Sequence, residues 1–311
     1  MSKVKISICG DPYHVMVLKM MIRSIDNLEV IDDNPIAKKE VDIFYWIFGF
    51  PFFLLRNLSF WLKRKPLLII HWIGSDVMAL SLPKNLVERL DRLLIKFVEK
   101  AEFHRIINLA GSKWLVDELN SQGISAYYFP LTTLELGKLK DPQSVGKKTI
   151  DFLSYVSLGR FSFYGGQQIV RLARELPQFT FAVIMPDIIE PEKLPKLCVH
   201  NLHLYPRLSF GEMQDMYLMS KCFIRLTEHD GLSLSILEAL YYRLQIIWTH
   251  DFPHVIHIEN RDLCKLKQLM LDVMNTYDLN NEGHNYVVQN YSCETWRGNF
   301  QRLLKYIDTL S

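Results

Sequence analysis

Short continuous apolar runs alternate along this chain with stretches whose apolar residues recur at helical spacing. Val4–Cys9, Val41–Ile47, Leu67–His71, Ile106–Leu109 and Ala126–Phe129 read as buried strands. Between them, Val15–Ile22 (Val15, Leu18, Met21 and Ile22 on one face), Leu86–Val98 and Ser112–Leu119 read as helices. Strand–helix alternation with apolar strands predicts a parallel sheet covered on both faces. The segment 136–148 breaks the pattern. It is polar, carries Gly, Pro and Lys, and reads as an interdomain linker.

The alternation then resumes. Asp151–Val156 and Phe179–Met185 read as strands around a helix at Gln167–Leu176. Ser209-Phe-Gly-Glu212 has the form of a capping box opening a helix through Met213, Met216 and Tyr217. Cys222–Leu226 and Gln245–Thr249 are further strands, and Cys293–Ile307 is a closing helix with Trp296, Phe300, Leu303, Leu304 and Ile307. The expected architecture is α/β, with two Rossmann-like parallel-sheet domains. Their boundaries are 1–135 for the first domain, 136–148 for the linker, 149–290 for the second domain and 291–311 for the final helix. Open sheets of this kind bind ligands outside the carboxyl ends of their strands, so a cleft between the domains is the expected site.

Composition narrows this little but excludes some classes. The chain has 311 residues and is 49% apolar, enough for two globular domains. Lys+Arg 36 against Asp+Glu 34 leaves a net charge of +2, too balanced for nucleic acid as the main partner. Five scattered cysteines without metal spacing read as reduced thiols of a cytosolic protein. The start of the chain reads as a strand rather than a signal peptide.

Candidate chemistry concentrates at Thr227-Glu-His-Asp-Gly-Leu-Ser-Leu-Ser-Ile-Leu-Glu-Ala-Leu240. Asp230 follows a strand in an Asp-Gly turn, and Glu238 falls one to two turns into the next helix. Ser233 is placed to cap that helix, whose N-terminal amides suit a phosphate. Gly159-Arg160 follows another strand, and Gly165-Gly166 opens a helix, which together form a candidate phosphate cradle. His71, before a Gly-Ser-Asp76 turn, ends a strand in the first domain. Gly10 and His14 follow the first strand in Gly10-Asp-Pro-Tyr-His14, which is not a dinucleotide fingerprint. Each residue also has a plainer reading. Asp230 and Glu238 could be solvated, Arg160 could be a surface residue, His71 a packed histidine and Asp76 a helix cap.

The acidic stretch resembles the signature of retaining glycosyltransferases of the GT-B fold, family 4 type: an acid, Gly, an apolar residue, a small residue, four more residues, then Glu-Ala. Asp230, Gly231, Leu232, Ser233 and Glu238-Ala239 align with it without gaps. Gly159-Arg160 and Gly166 match the phosphate loop of that family. Ala110-Gly-Ser-Lys-Trp-Leu-Val-Asp-Glu-Leu119 is similar to its last N-terminal unit, and Tyr291–Ile307 to a helix that crosses back to the first domain. Three positions depart: Asp230 for Glu, Gly165 for Lys, and Arg243 where a Gly is usual, so that turn must be built differently.

The resemblance implies transfer of a sugar from a nucleotide-diphosphate sugar to a glycan, polysaccharide precursor or lipid-linked acceptor, with retention and without a metal or other cofactor. It gives Asp230 the reacting sugar, Glu238 the nucleotide ribose and His71 a place at the donor sugar. Gly10, Gly159, Arg160, Gly166, Gly231, Leu232, Ser233, Leu234, Ser235 and Glu238 become donor-binding candidates, with His14 and Asp76 on the acceptor side. The aromatic and basic segment Phe50–Lys65 suits an anionic membrane surface, implying a cytoplasmic protein peripheral to the inner face. The departures leave open a non-catalytic GT-B protein that partners an active transferase, and more distantly a sugar-nucleotide epimerase of similar shape.

Overall fold

The computed structural model describes residues 3–23, 25–31, 41–48, 67–81, 83, 89, 90, 93, 106–131, 133–143, 148–187, 197 and 199–310. The expected helix Leu86–Val98, most of the 186–200 stretch and the aromatic-basic segment Phe50–Lys65 lie outside them, wholly or in large part. The chain forms two compact units, one of Met1–Thr133 with Cys293–Ser311 and the other of Leu134–Ser292.

The first unit holds a six-stranded parallel sheet, β1 (Val4–Gly10), β2 (Leu28–Ile31), β3 (Ile43–Ile47), β4 (Leu67–Trp72), β5 (Ile106–Ala110) and β6 (Ala126–Tyr128), in the order β2-β1-β3-β4-β5-β6. Its two inner strands β3 and β4 are buried nearly throughout, as their unbroken apolar runs predict, while the outer strands β2 and β6 are only partly covered. Helices α1 (Pro12–Ile22), α2 (Ser75–Ser81) and α3 (Lys113–Ser121) follow strands. Leu18, Met21 and Ile22 of α1 join Ile6, Tyr45 and Ile69 in one core cluster.

The second unit holds β7 (Ile150–Tyr155), β8 (Phe181–Ile184), β9 (Leu202–Tyr205), β10 (Ser220–Arg225), β11 (Gln245–Trp248) and β12 (Ile256–His257), again all parallel, in the order β12-β11-β10-β7-β8-β9. The chain order reverses between β7 and β10, which makes the carboxyl ends of those two strands the topological switch point. A buried hydrogen bond from Ser154 Oγ to the Ile224 carbonyl, 2.8 Å, ties the pair. Helices α4 (Gly166–Glu175), α5 (Phe210–Met219), α6 (Leu234–Tyr241), α7 (Leu263–Asn275) and α8 (Asn281–Asn290) complete this unit. The capping box at Ser209 and Glu212 is formed in both directions. The segment read as a linker is counted in this unit. Lys140 donates from its backbone to Gln214 Oε1 and pairs with Asp215, both on α5.

Helix α9 (Cys293–Leu310) returns to the first unit. Trp296 and Phe300, 2% and 0% exposed, stack on one another at 4.9 Å and meet Phe129 and Tyr45 under the first sheet. This is the crossing-back helix expected of the fold.

The turn after α6 corrects an expectation. Arg243 adopts φ 61°, so the left-handed conformation that a glycine would take is kept by an arginine. The Leu244 amide reaches the Ala239 carbonyl and the Arg243 amide that of Leu240, the paired bonds of a Schellman motif. A side chain strains this conformation by about 1–2 kcal/mol. Arg243→Gly is therefore expected to raise stability by about 1 kcal/mol in urea unfolding, after the unfolded-state entropy of glycine is subtracted. A loss of stability would mean that the arginine side chain outweighs its own strain.

Candidate functional site

The second unit brings its sequence-predicted residues to the switch point. β10 ends on Arg225, and Asp230 folds back onto it. Arg225 Nε donates to Asp230 Oδ2 at 2.5 Å, and Thr227 Oγ1 donates to the same oxygen at 3.3 Å. The two side chains are only 11% and 16% exposed. Burial lowers the basicity of the guanidinium, and the Asp230 charge and hydrogen bond more than restore it. Tyr164 lies beside it, its ring centre 5.8 Å from the guanidinium carbon. His250, after β11, is pushed down to about 4 by burial, which the Asp230 charge opposes. Arg225 was passed over as one residue of an apolar strand. The readable signal was a lone charge closing Cys222-Phe-Ile-Arg225, where any arginine needs a partner.

The loop 157–166 packs against the acidic loop. Arg261 donates to the Ser162 and Leu226 carbonyls and pairs with Glu228 at 2.7 Å, and the Glu228 amide donates to the Phe163 carbonyl. Gly165 has φ 72°, and a Cβ there would fall 2.5 Å from Leu226 Cβ. A lysine at this position would collide with Leu226 and strain the left-handed backbone. Gly166 opens α4 with the Phe161 ring where a Cβ would stand, 2.4 Å away. The Arg160 guanidinium lies over the Phe163 ring at 3.8 Å.

The amides expected to cradle phosphate already hold an anion. Leu158 N and Gly159 N each donate to the Asp187 carboxylate at 2.8 Å, and so does Ser157 Oγ. What desolvation there is raises the Asp187 pKa, but the bonds from Gly159, Leu158 and Ser157 overcome it and hold the group at about 2. Asp187 follows β8 at a Pro-Asp step and was not singled out in the sequence.

Gly231 and Leu232 are buried between Asp230 and α6. Ser233 stands at the N-cap of α6 but does not cap it with its side chain, because its hydroxyl bonds the Ser235 hydroxyl at 2.8 Å instead. Leu234 and Ser235 form the first turn. Glu238 is 9% exposed and receives the Tyr217 hydroxyl at 3.1 Å. Burial pushes its carboxyl up to about 7, only partly offset by that hydrogen bond.

In the first unit the expectations fare differently. His71 lies on β4, fully buried, with Nδ1 2.6 Å from the Tyr45 hydroxyl and its ring against Phe129. Burial holds it near 3, so it is a neutral core histidine and not a group presented to a sugar. Asp76 is also buried and accepts from the Ile73, Gly74 and Val77 amides, so its carboxylate builds the turn into α2 and is not placed as a base. Gly10 has φ 121°, and a Cβ would lie 1.8 Å from the Ile47 carbonyl oxygen. The close approach that requires glycine is to its own sheet. His14 pairs with Asp11, the N-cap of α1, at 2.7 Å.

No family model and no curated protein matches this sequence. Solved structures do. A sucrose-phosphate synthase from Thermosynechococcus elongatus superposes with a TM-score of 0.73 at 9% identity, over 99% of this chain and 100% of that one. Anabaena HepE, solved in complex with UDP and glucose, gives 0.66 at 11% identity, over 97% and 100%. A candidate UDP-N-acetylglucosamine 2-epimerase from Listeria monocytogenes gives 0.57 at 12%, over 100% and 98%. These likenesses, with the two parallel six-stranded sheets, establish the GT-B fold.

Proposed function

We propose that this chain is a glycosyltransferase that takes a sugar from a nucleotide-diphosphate donor held by the second unit. The observation that carries the reading is the buried Arg225–Asp230 pair at the switch point of that sheet, with Glu238 on the helix that follows. Transfer breaks the bond from the anomeric carbon to the diphosphate oxygen and forms one to an acceptor hydroxyl, whose proton leaves with the diphosphate. Positive charge builds on the sugar and negative charge on the leaving group. Asp230 stabilises the first and fixes sugar hydroxyls. Arg160 and the amides of α6 meet the second, with no divalent metal in the reaction. Glu238 accepts from the ribose. Retention of configuration, a glycan or lipid-linked acceptor and action at the inner face of a membrane complete the reading. Among the described residues no helix is long and apolar enough to cross a membrane.

UDP, GDP, ADP, TDP and CDP should be tested by thermal shift on wild type and Glu238→Ala. A nucleotide at about 100 times its Kd adds about 2.7 kcal/mol. One nucleotide is expected to stabilise wild type and not the variant. With the matching sugar nucleotide, Asp230→Asn is expected to lose turnover by at least about 100-fold while keeping its fold, and EDTA to leave wild-type turnover unchanged.

A second reading has its own support. Asp187 occupies the Leu158 and Gly159 amides, which suits a non-catalytic partner of an active transferase. No stabilisation by any nucleotide, with a second transferase co-purifying, would favour it.

A further inference from the structure

We infer that Arg225 grips the donor diphosphate alongside Arg160, with Asp230 as the group that aims it; this rests on the donor reading above. The guanidinium has two edges with different surroundings. Its Nε is spent on Asp230. Among the described residues its two Nη groups have no hydrogen-bond partner, and neither is sealed away from solvent. A planar cation held at one corner and open at its fork is shaped for paired phosphate oxygens. Lysine would offer a point charge on a flexible stem instead.

Its position supports the same ligand. Arg225 closes β10 beside β7, at the point where the sheet reverses. Thr227 adds a hydroxyl on the same carboxylate, and Tyr164 flanks the guanidinium. Leu226, the next residue, fills the space where a side chain at Gly165 would begin, so position 165 brings no charge there. Arg160, the cation expected from sequence, lies on the Phe163 ring. Burial and a single anionic partner among the described residues preorganise Arg225 for a ligand.

The test compares affinities for a nucleoside diphosphate and its monophosphate, with the base chosen as the one that binds wild type best. Arg225→Gln alone would strand Asp230, so the neutral pair Arg225→Gln with Asp230→Asn is used, and its thermal unfolding is checked first. Two charge-assisted hydrogen bonds are at stake, and the double variant is expected to lose about 10–100-fold on the diphosphate and under about 3-fold on the monophosphate. Asp230→Asn alone keeps the guanidinium and should retain the diphosphate preference. Arg225→Lys should fall between wild type and the double variant.

An unchanged preference in the double variant overturns the assignment of Arg225 alone. A loss already complete in Asp230→Asn overturns it too. If wild type binds none of the nucleoside diphosphates, the donor reading falls and this inference with it.

Discussion

Phe300→Ala is expected to cost about 3–5 kcal/mol, the loss typical of a fully buried aromatic ring. Phe300 is 0% exposed and touches Trp296, Phe129 and Tyr45, three rings drawn from α9, the residue after β6, and β3. No neighbour can collapse into the space, because each is itself locked by others: Phe129 packs on Trp296 and His71, and Tyr45 is hydrogen-bonded to His71. The destabilisation should be local to the first unit. Hydrogen exchange is expected to quicken in β1, β3 and β4 while β7 and β10 keep their protection. Uniform loss across both sheets would show that α9 stabilises more than the unit it packs in.

Glu238→Gln is expected to stabilise the protein at pH 8 by up to about 3 kcal/mol, and not at pH 4.5. The folded carboxyl titrates near 7 against an ordinary 4.5. A raised acid favours its protonated form in the fold. Its contribution is therefore fully present below 4.5 and is lost as pH rises through 7, where the charge must be carried in a buried site. A difference of this size corresponds to about 3 kcal/mol. His71 works in the opposite direction. It is held neutral down to about 3, so its contribution is present above 6.5 and is lost as pH falls. The wild-type curve sums both effects, but the difference between wild type and Glu238→Gln isolates the glutamate. Urea unfolding at pH 8, 7, 6 and 5 reads it. A gap that does not change with pH would mean that the carboxyl is ionised normally and that the effect of the substitution is steric.

Much of the fold was legible because burial leaves a plain mark on parallel strands. Leu67–Ile70 and Cys222–Ile224 are apolar runs that nothing else explains well. β12 (two residues) and β9 (four) are too short to carry a period. Helix α8 leaves little trace because its cap, Asn280, bonds the first turn but precedes a mixed polar stretch, whereas α7 carries a readable period in Leu266, Met270 and Val273 behind its Asp262 cap.

At the site, sequence pattern located the loops but not the partners. Asp230 was found and its arginine was not, because a pair five residues apart across a strand end leaves no periodic trace. His71 and Asp76 sit where a ligand could be expected, at the end of a strand, yet both turn into the protein. The end of a strand says where a residue is, and only packing says which way it faces. Arg243 taught the converse, since the backbone kept a conformation that its residue type argued against.

The return of α9 to the first unit also sets an order of events during synthesis. The six strands of the first sheet are complete in sequence by Tyr128, but the rings that cover one part of it come from Trp296 and Phe300. The whole second unit, continuous from Leu134 to Ser292, must be translated in between. At about 5–20 residues per second that delay is on the order of 10–30 s. The later unit can thus close its core while the earlier one still waits for its last helix. The half-built first sheet, with Tyr45 and Phe129 uncovered, is where a nascent chain of this protein is most open to aggregation or to a chaperone.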